Sequence, residues 1–362
     1  MSKTEKGVPF IRVEKRAERT KSQSMKLRIL SVILALIAGG MFILAIGYNP
    51  FRVYMTIISG AFRSEMAFQA TVKLMVPLVI PALGITLAFK MRFWNIGAEG
   101  QIIMGSIFAT YFALFWWELP HVVLLSLMFI AGAIGGALWG IIPAFFKAKF
   151  NTNETLFTLM LNYIALYTIS FLRDGAWQDP QSSGFPKIAR FGENAILDKV
   201  LGVHMGWIIA LVLVVLVYIY LKYTKQGYEI SVVGESQATA SYAGMNYKKI
   251  VIRTMAIGGA LSGIAGMIQV SGSDMTLASS VAGGVGFTAI IIAWLARLNP
   301  FGILIVSFLF SILEKGSTVM QSTYGLSTYS ADVLQGIILF FVLGCEFYVR
   351  YRFIIRGKGG TE

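Results

Sequence analysis

Phe93-Trp94-Asn95-Ile96-Gly97-Ala98-Glu99-Gly100-Gln101, read FWNIGAEGQ, sets a carboxylate, two amides and two glycines inside a long apolar region. What surrounds it decides the fold. Apolar runs of about 20 residues, the length that carries a helix across a bilayer's hydrocarbon core, lie on both sides. None alternates in the manner of a barrel strand. The 362 residues are 56% hydrophobic and 14% charged, with a mean hydropathy of +0.69; a soluble domain carries about 25% charge. The sequence predicts an all-α integral membrane protein. At membrane depth an ionised carboxylate costs a few kcal/mol unless it is solvated or paired, so Glu99 calls for an explanation that a surface glutamate would not.

Ten spans are read outward from this stretch, at about 29–48, 72–89, 102–117, 122–146, 155–172, 205–222, 251–270, 285–297, 301–319 and 331–349. Residues 1–28 form a basic tail, too long and too charged for the leading part of a cleaved signal peptide. Residues 29–349 form the membrane domain, and 350–362 a second basic tail. The net charge of +13 is gathered in short segments between apolar runs, which suits topology determinants better than a nucleic-acid surface. With the N-terminus inside, 23 of the 31 Lys and Arg fall on the cytoplasmic side and eight outside. That asymmetry predicts both termini inside and an even number of spans. The single cysteine, Cys345, excludes a disulfide framework and a cysteine-based zinc site.

Three connections are long. Asn49–Thr71 carries Phe51, Tyr54, Ile57, Ile58, Phe62 and Phe68 at spacings that predict an interfacial helix. The outer segment 173–204 is rich in Pro, Gly and Ser and is no span. The segment 223–250 is predicted cytoplasmic, with GESQATASYAGMN forming a short surface helix capped by Ser236. Gly132, Gly136 and Gly140 recur every four residues, as do Gly259 and Gly263; such small faces let helix backbones approach closely. A polar, glycine-rich interruption follows the second span at WNIGAEGQ and the seventh at Ser271–Phe287, a stretch that includes Asp274. Five spans separate the two, which predicts pseudo-symmetric inverted halves with broken helices near the centre, a pattern that points to a central binding site in transporters.

Catalytic signatures are missing: there is no GxxxxGK[ST] phosphate loop, no HExxH and no CxxC. Two readings of Glu99 stand. It caps a helix N-terminus at the interface beside Lys90 and Arg92, or it lines, with Asn95 and Gln101, a water-accessible path opened by a break at the glycines. Asn162, in mid-span beside Tyr163, requires either a neighbouring helix or a polar substrate as partner. Asn153 and Glu154 read as helix-start caps, and Glu314 with Lys315 as a local interface pair.

Together WNIGAEGQ, NETLFTLMLNYIA, GESQATASYAGMN and GVGFTAIIIAWLARLNPFG resemble, in order and over roughly residues 30–350, the permease subunits of bacterial ABC importers for nucleosides and simple sugars, within the branched-chain amino acid/ribose-type permease superfamily. Trp94 stands where that family usually has Phe, and Arg297 where it commonly has a small residue. The resemblance implies a multi-pass transport subunit of the bacterial cell membrane that is not an enzyme and binds no cofactor, ATP and Mg2+ belonging to a cytosolic ABC ATPase. It also implies a second permease subunit and an extracellular substrate-binding lipoprotein. GESQATASYAGMN then becomes the ATPase docking segment, with Gly234, Glu235, Ala238, Ala240, Tyr242, Ala243 and Gly244. A translocation pathway follows at Trp94, Asn95, Glu99, Gln101, Asn162, Tyr163, Asp274 and Phe287. Of these, Trp94, Tyr163 and Phe287 are placed to meet a nucleobase, and Asn95, Asn162 and Gln101 to meet ribose hydroxyls. The motif variants favour nucleosides. Alternatives are a ribose- or galactose-type sugar or riboflavin on the same architecture and, from another class, an ion-coupled secondary transporter working alone; nothing in the sequence specifies a channel.

Overall fold

A computed structural model describes residues 11–15, 21–182, 184–325, 329–330, 333–334, 336–337, 340–341, 344–345 and 351–355. The described elements start with β1 (Ile11–Lys15), α1 (Lys21–Ala45) and α2 (Pro50–Phe62). It continues through α3 (Glu65–Lys90), α4 (Ala98–Phe115), α5 (His121–Phe150) and α6 (Glu154–Asp174). After the short strands β2 (Lys199–Val200) and β3 (Val203–His204) come α7 (Gly206–Tyr223), α8 (Lys225–Glu235), α9 (Gln237–Tyr242) and α10 (Tyr247–Ile268). A π-helical turn, Gln269–Asp274, prolongs α10, and α11 (Val285–Leu295), α12 (Pro300–Tyr324) and β4 (Tyr351–Ile355) complete the order.

Among the described residues seven helices are long and apolar enough to cross a membrane: α3, α4, α5, α6, α7, α10 with its π turn, and α12. The count becomes eight if α1 and α2, whose axes meet at 111°, form one bent span. The chain is a multi-pass helical membrane protein. The span expected at 285–297 is instead the 11-residue α11, about 16 Å long and half of a hydrocarbon core. It starts at the expected residue, just after Gly283 and Gly284 in left-handed conformation, and ends two residues early, before left-handed Arg297 and Leu298 and Asn299-Pro300. Most of the expected span at 331–349 lies outside the described residues. Phe68, assigned from sequence to the interfacial segment, belongs to α3, which Ser64 caps by accepting a hydrogen bond from the Ala67 N–H at 3.1 Å.

The described residues divide into two compact units. In the unit 58–316, α10 is the buried axis, packed against α3, α4 and α5. The glycine spacing explains how. A Cβ on Gly136 of α5 would run into the Gly259 carbonyl, one on Gly105 of α4 into the Gly263 backbone, and one on Gly84 of α3 into the Gly258 carbonyl. The two small-residue faces read from the sequence therefore pack on each other. Side-chain amides and hydroxyls set the helix starts: Asn153 accepts from the Leu156 N–H, Thr224 from Gly227 and Asn246 from Lys249, each at 3.1 Å.

One end of this unit gathers Lys90, Lys147 and Lys225 and is called here the basic end. There Lys147 pairs with Glu154 at 2.9 Å, and Arg253 of α10 pairs with Glu229 of α8 at 2.9 Å. Glu154 is thus an ion-pair partner as well as a first-turn acid. At the opposite, loop end, 173–204 is largely irregular, as its composition suggested. It is stitched to the π turn: the Leu197 N–H donates to the Ser271 carbonyl at 3.2 Å, and the Ser271 hydroxyl to the Ala195 carbonyl at 2.6 Å.

In the unit formed by 1–57 and 317–362, the Tyr54 hydroxyl donates to the Leu36 carbonyl at 2.7 Å. The Tyr48 and Tyr324 rings meet edge to face at 5.6 Å. β1 and β4 pair antiparallel, Ile11 opposite Ile355 and Lys15 opposite Tyr351.

Backbone-on-backbone packing leaves no room for side chains at the crossing, and overpacking there costs about 1–3 kcal/mol or more. Gly136→Leu is expected to lower the yield of monodisperse protein by about tenfold. Gly192→Ala, at a position with open space around it, is the control that leaves the yield unchanged. Size-exclusion chromatography of both variants is the check.

Candidate functional site

FWNIGAEGQ forms the turn from α3 into α4 at the basic end. Left-handed Arg92 reverses the chain, and the Phe93 N–H returns to the Ala88 carbonyl at 3.0 Å. Asn95 then accepts from the Gly97 N–H at 2.9 Å and lies against Gln101, with amide contacts of 3.4 and 3.5 Å. Two side chains one turn apart on α6 read the backbone of this loop. Thr158 accepts from the Ile96 N–H at 3.1 Å. Asn162 accepts from the Gly100 N–H and donates to the Ile96 carbonyl, both at 2.9 Å. Asn95, Gln101 and Asn162 are all buried, and their amides are spent on the loop and on each other.

Glu99 closes the site. Its carboxylate accepts from the Gly284 N–H and the Gly286 N–H, each at 2.7 Å. These are first-turn amides of α11, unpaired within their own helix, and a carboxylate is the group such an N-terminus holds best. Gly286 has to be glycine, because a Cβ there would enter the Glu99 backbone. The two polar interruptions recognised in the sequence therefore meet in space, joined by one bidentate clamp. Capping was one of the readings of Glu99, but the helix it caps lies 185 residues away in sequence.

The remaining sequence-derived residues are distributed differently. Trp94 is 48% exposed and stacks on Trp294 of α11 with centroids 5.7 Å apart, Phe89 completing the group at 5.5 Å from each ring. Phe287 is exposed one residue beyond the clamp, and Tyr163 is exposed on α6, turned from Asn162 by the 100° step of the helix. Asp274 does not join this group. It lies at the far end of the 28-residue span that starts at Tyr247, where it accepts from the Gln269 amide at 3.1 Å. There it lines a cleft of about 810 Å3 with Arg173, Asp179, Lys187 and Arg190.

Of the residues read as a docking segment, Gly234 is buried against the Lys90 carbonyl and Ala240 is fully buried. Glu235, Ala238, Ala243 and Gly244 are exposed, and Tyr242 is 96% exposed. Left-handed Gly244 ends α9, and Ser236 caps its start by accepting from the Thr239 N–H at 3.2 Å, as the sequence indicated. Sequence reasoning missed Thr158, Trp294, Gly284 and Gly286. Thr158 was legible as the residue one turn before Asn162, and the other three lie inside a quoted motif.

The architecture and the paired, backbone-clamped interruptions define a polytopic helical membrane protein with a buried polar cluster at its basic end. The chain belongs to the permease family described as "Branched-chain amino acid transport system / permease component", whose model matches residues 67–343. It is 31% identical to the glucose ABC transporter permease protein TsgB13 of Haloferax volcanii, over 90% of this chain and 88% of that one. It is 30% identical to the nucleoside ABC transporter permease protein NupB of Lactococcus lactis, over 89% and 91%. With the guanosine ABC transporter permease protein NupP of Bacillus subtilis it shares 29% over 87% and 91%. The resemblance carried by the four motifs holds.

Glu99→Gln keeps the shape of the clamp but turns an amide NH2 towards one of the two N–H donors. A hydrogen bond to a charged group contributes about 1.5–3 kcal/mol, so amide hydrogen exchange in the peptide covering residues 281–290 is expected to accelerate by about tenfold or more. Unchanged protection there would show that the carboxylate does not hold α11.

His204 is 3% exposed, and neither ring nitrogen has a hydrogen-bond partner among the described residues. Burial first, and the charge of Lys73 second, push its pKa down from 6.5 to about 4. Between those values the unfolded chain holds the proton and the folded one does not, so stability falls as pH drops from about 6.5 and levels off below about 4, by about 3 kcal/mol at most. His204→Phe keeps the buried ring and removes the proton site. Thermal melting in detergent across this window is expected to fall less steeply for the variant than for the parent protein.

Proposed function

We propose that this chain is the membrane-spanning permease subunit of an ATP-driven ABC importer and forms the path for nucleosides. The observation that carries the reading is the family match across residues 67–343, taken with two relatives named for nucleoside and guanosine transport over about nine-tenths of their length. The glucose relative at 31% and a fructose import permease of Bifidobacterium longum at 25% favour a sugar as the second reading. Exposed ring surface at Trp94 and Phe287 supports a cargo bearing a flat base. Asn95, Gln101, Asn162 and Glu99 serve in this proposal to shape the loop and hold α11 rather than to touch cargo, and Asp274 stands at the outer mouth.

The proposed orientation puts both termini and the basic end in the cytoplasm of a bacterial cell. It is supported by the Lys/Arg asymmetry and by the pairing of β1 with β4, which brings residues near the two termini together. The tails 1–28 and 350–362 then flank the membrane domain 29–349 on the inside, and an even number of spans follows. In the complex, α8 and α9 within 223–250 dock a separate cytosolic ATPase that holds ATP and Mg2+. A second permease completes the path, and an extracellular binding lipoprotein delivers cargo to the 173–204 side. The Arg253–Glu229 pair connects the docking helices to α10.

Reconstitution with the partner subunits tests the reading. Tyr242→Ala combined with Ala243→Arg, both at exposed positions, is expected to reduce co-purifying ATPase about tenfold while the permease stays monodisperse. Labelled guanosine or uridine is expected to enter proteoliposomes with ATP, and glucose not to. Glucose uptake without nucleoside uptake would transfer the assignment to sugars, and uptake that persists with a catalytically dead ATPase would remove the importer reading.

A further inference from the structure

A groove of about 510 Å3 opens at the loop end between the first turns of α5 and α7. Its floor is Met267 of α10, its walls include Leu125 and Phe129 of α5 and Ile209 of α7, and His121 and Asp198 stand at its mouth. Both wall helices are long and apolar enough to cross a membrane, so the groove runs from its mouth into hydrocarbon depth. The lining stretch of α5, Val122 to Ile130, is about 12 Å long. The mouth level is marked independently. Trp116 and Trp117, 48% and 58% exposed, precede His121 by a few residues, and exposed tryptophans sit at the headgroup level of a bilayer. The Asn194 amide ties the outer segment to this belt by donating to the Trp117 and Leu119 carbonyls.

The polar groups at the mouth are His121 and Asp198. The His121 ring bridges the Asn194 carbonyl at 3.0 Å and one Asp198 carboxylate oxygen at 3.1 Å. The other Asp198 oxygen has no partner among the described residues, and the side chain is 69% exposed. An apolar slot at acyl depth below a carboxylate with one unpartnered oxygen matches a molecule with an alkyl chain and an amine-bearing headgroup. We propose that the groove holds one acyl chain of a zwitterionic aminophospholipid, its ammonium on Asp198. The lipid fills the gap between α5 and α7, which are linked through α10 at this end, and so braces the loop end of the bundle.

Native mass spectrometry of the purified full chain, supplied with phosphatidylethanolamine or phosphatidylglycerol, tests this. One retained phosphatidylethanolamine is expected, in at least about tenfold excess over phosphatidylglycerol. Asp198→Asn is expected to abolish that preference while retaining a bound lipid, and Leu125→Trp with Ile209→Trp to abolish retention. Should the double variant fail to fold, phosphatidylethanolamine bearing a diazirine on its acyl chain is expected to label the peptides containing Phe129 and Met267 in the parent protein. Equal retention of the two lipids, an unchanged preference in Asp198→Asn, or no labelling would overturn the proposal. So would a Leu125→Cys to Ile209→Cys cross-link between two copies of the chain, which would assign the groove to a protein partner.

Discussion

The larger unit depends on bare backbone meeting bare backbone around α10. In lipid, apolar side chains gain nothing by leaving the hydrocarbon for one another, so helices associate through close van der Waals packing and the hydrogen bonds they exchange. Gly84, Gly105 and Gly136 bring three neighbours onto Gly258, Gly259 and Gly263 of one central helix. A rod seated so closely places its two ends with little tolerance. One end carries Arg253, tied to α8, and the other carries the π turn, tied to the outer segment.

Against that rod, the polar cluster of FWNIGAEGQ is an assembly of backbone contacts. Thr158 and Asn162 fix the loop, the loop fixes Glu99, and Glu99 fixes the start of α11. Every polar atom singled out in this stretch as costly at membrane depth has a protein partner at the place where it is buried. The exposed surface near the cluster is aromatic, at Trp94 and Phe287.

Much of this was legible in the sequence. The apolar runs gave the helical membrane bundle, the four-residue glycine spacing gave the pair of faces that do pack together, and Ser236 gave the start of α9. The limits of α11 were legible to within two residues; what the apolar run did not show is that a helix this short, bounded by left-handed residues, reaches only part way across a bilayer. The partners of Asn162 and Glu99 were not legible either. A side chain that bonds a distant backbone leaves no signature at the other end, since any residue supplies an N–H; only the obligatory glycine at 286 hints at the close approach. The burial of Ala240 was not legible for a related reason, as an alanine in a short polar helix looks the same whether it faces water or the bundle.

The Glu99 clamp also has a topological consequence. By joining residue 99 to residues 284 and 286, it turns the intervening chain, with α4 to α10, into a closed ring fastened by a single side chain. A ring of this kind transmits displacement from either edge of the bundle to the clasp. The clasp has two bonds on the two oxygens of one carboxylate, so drawing α11 straight away lengthens both, whereas tilting it lengthens one and relaxes the other. α11 is therefore held by both bonds against straight withdrawal and by one of them when it rocks on the carboxylate.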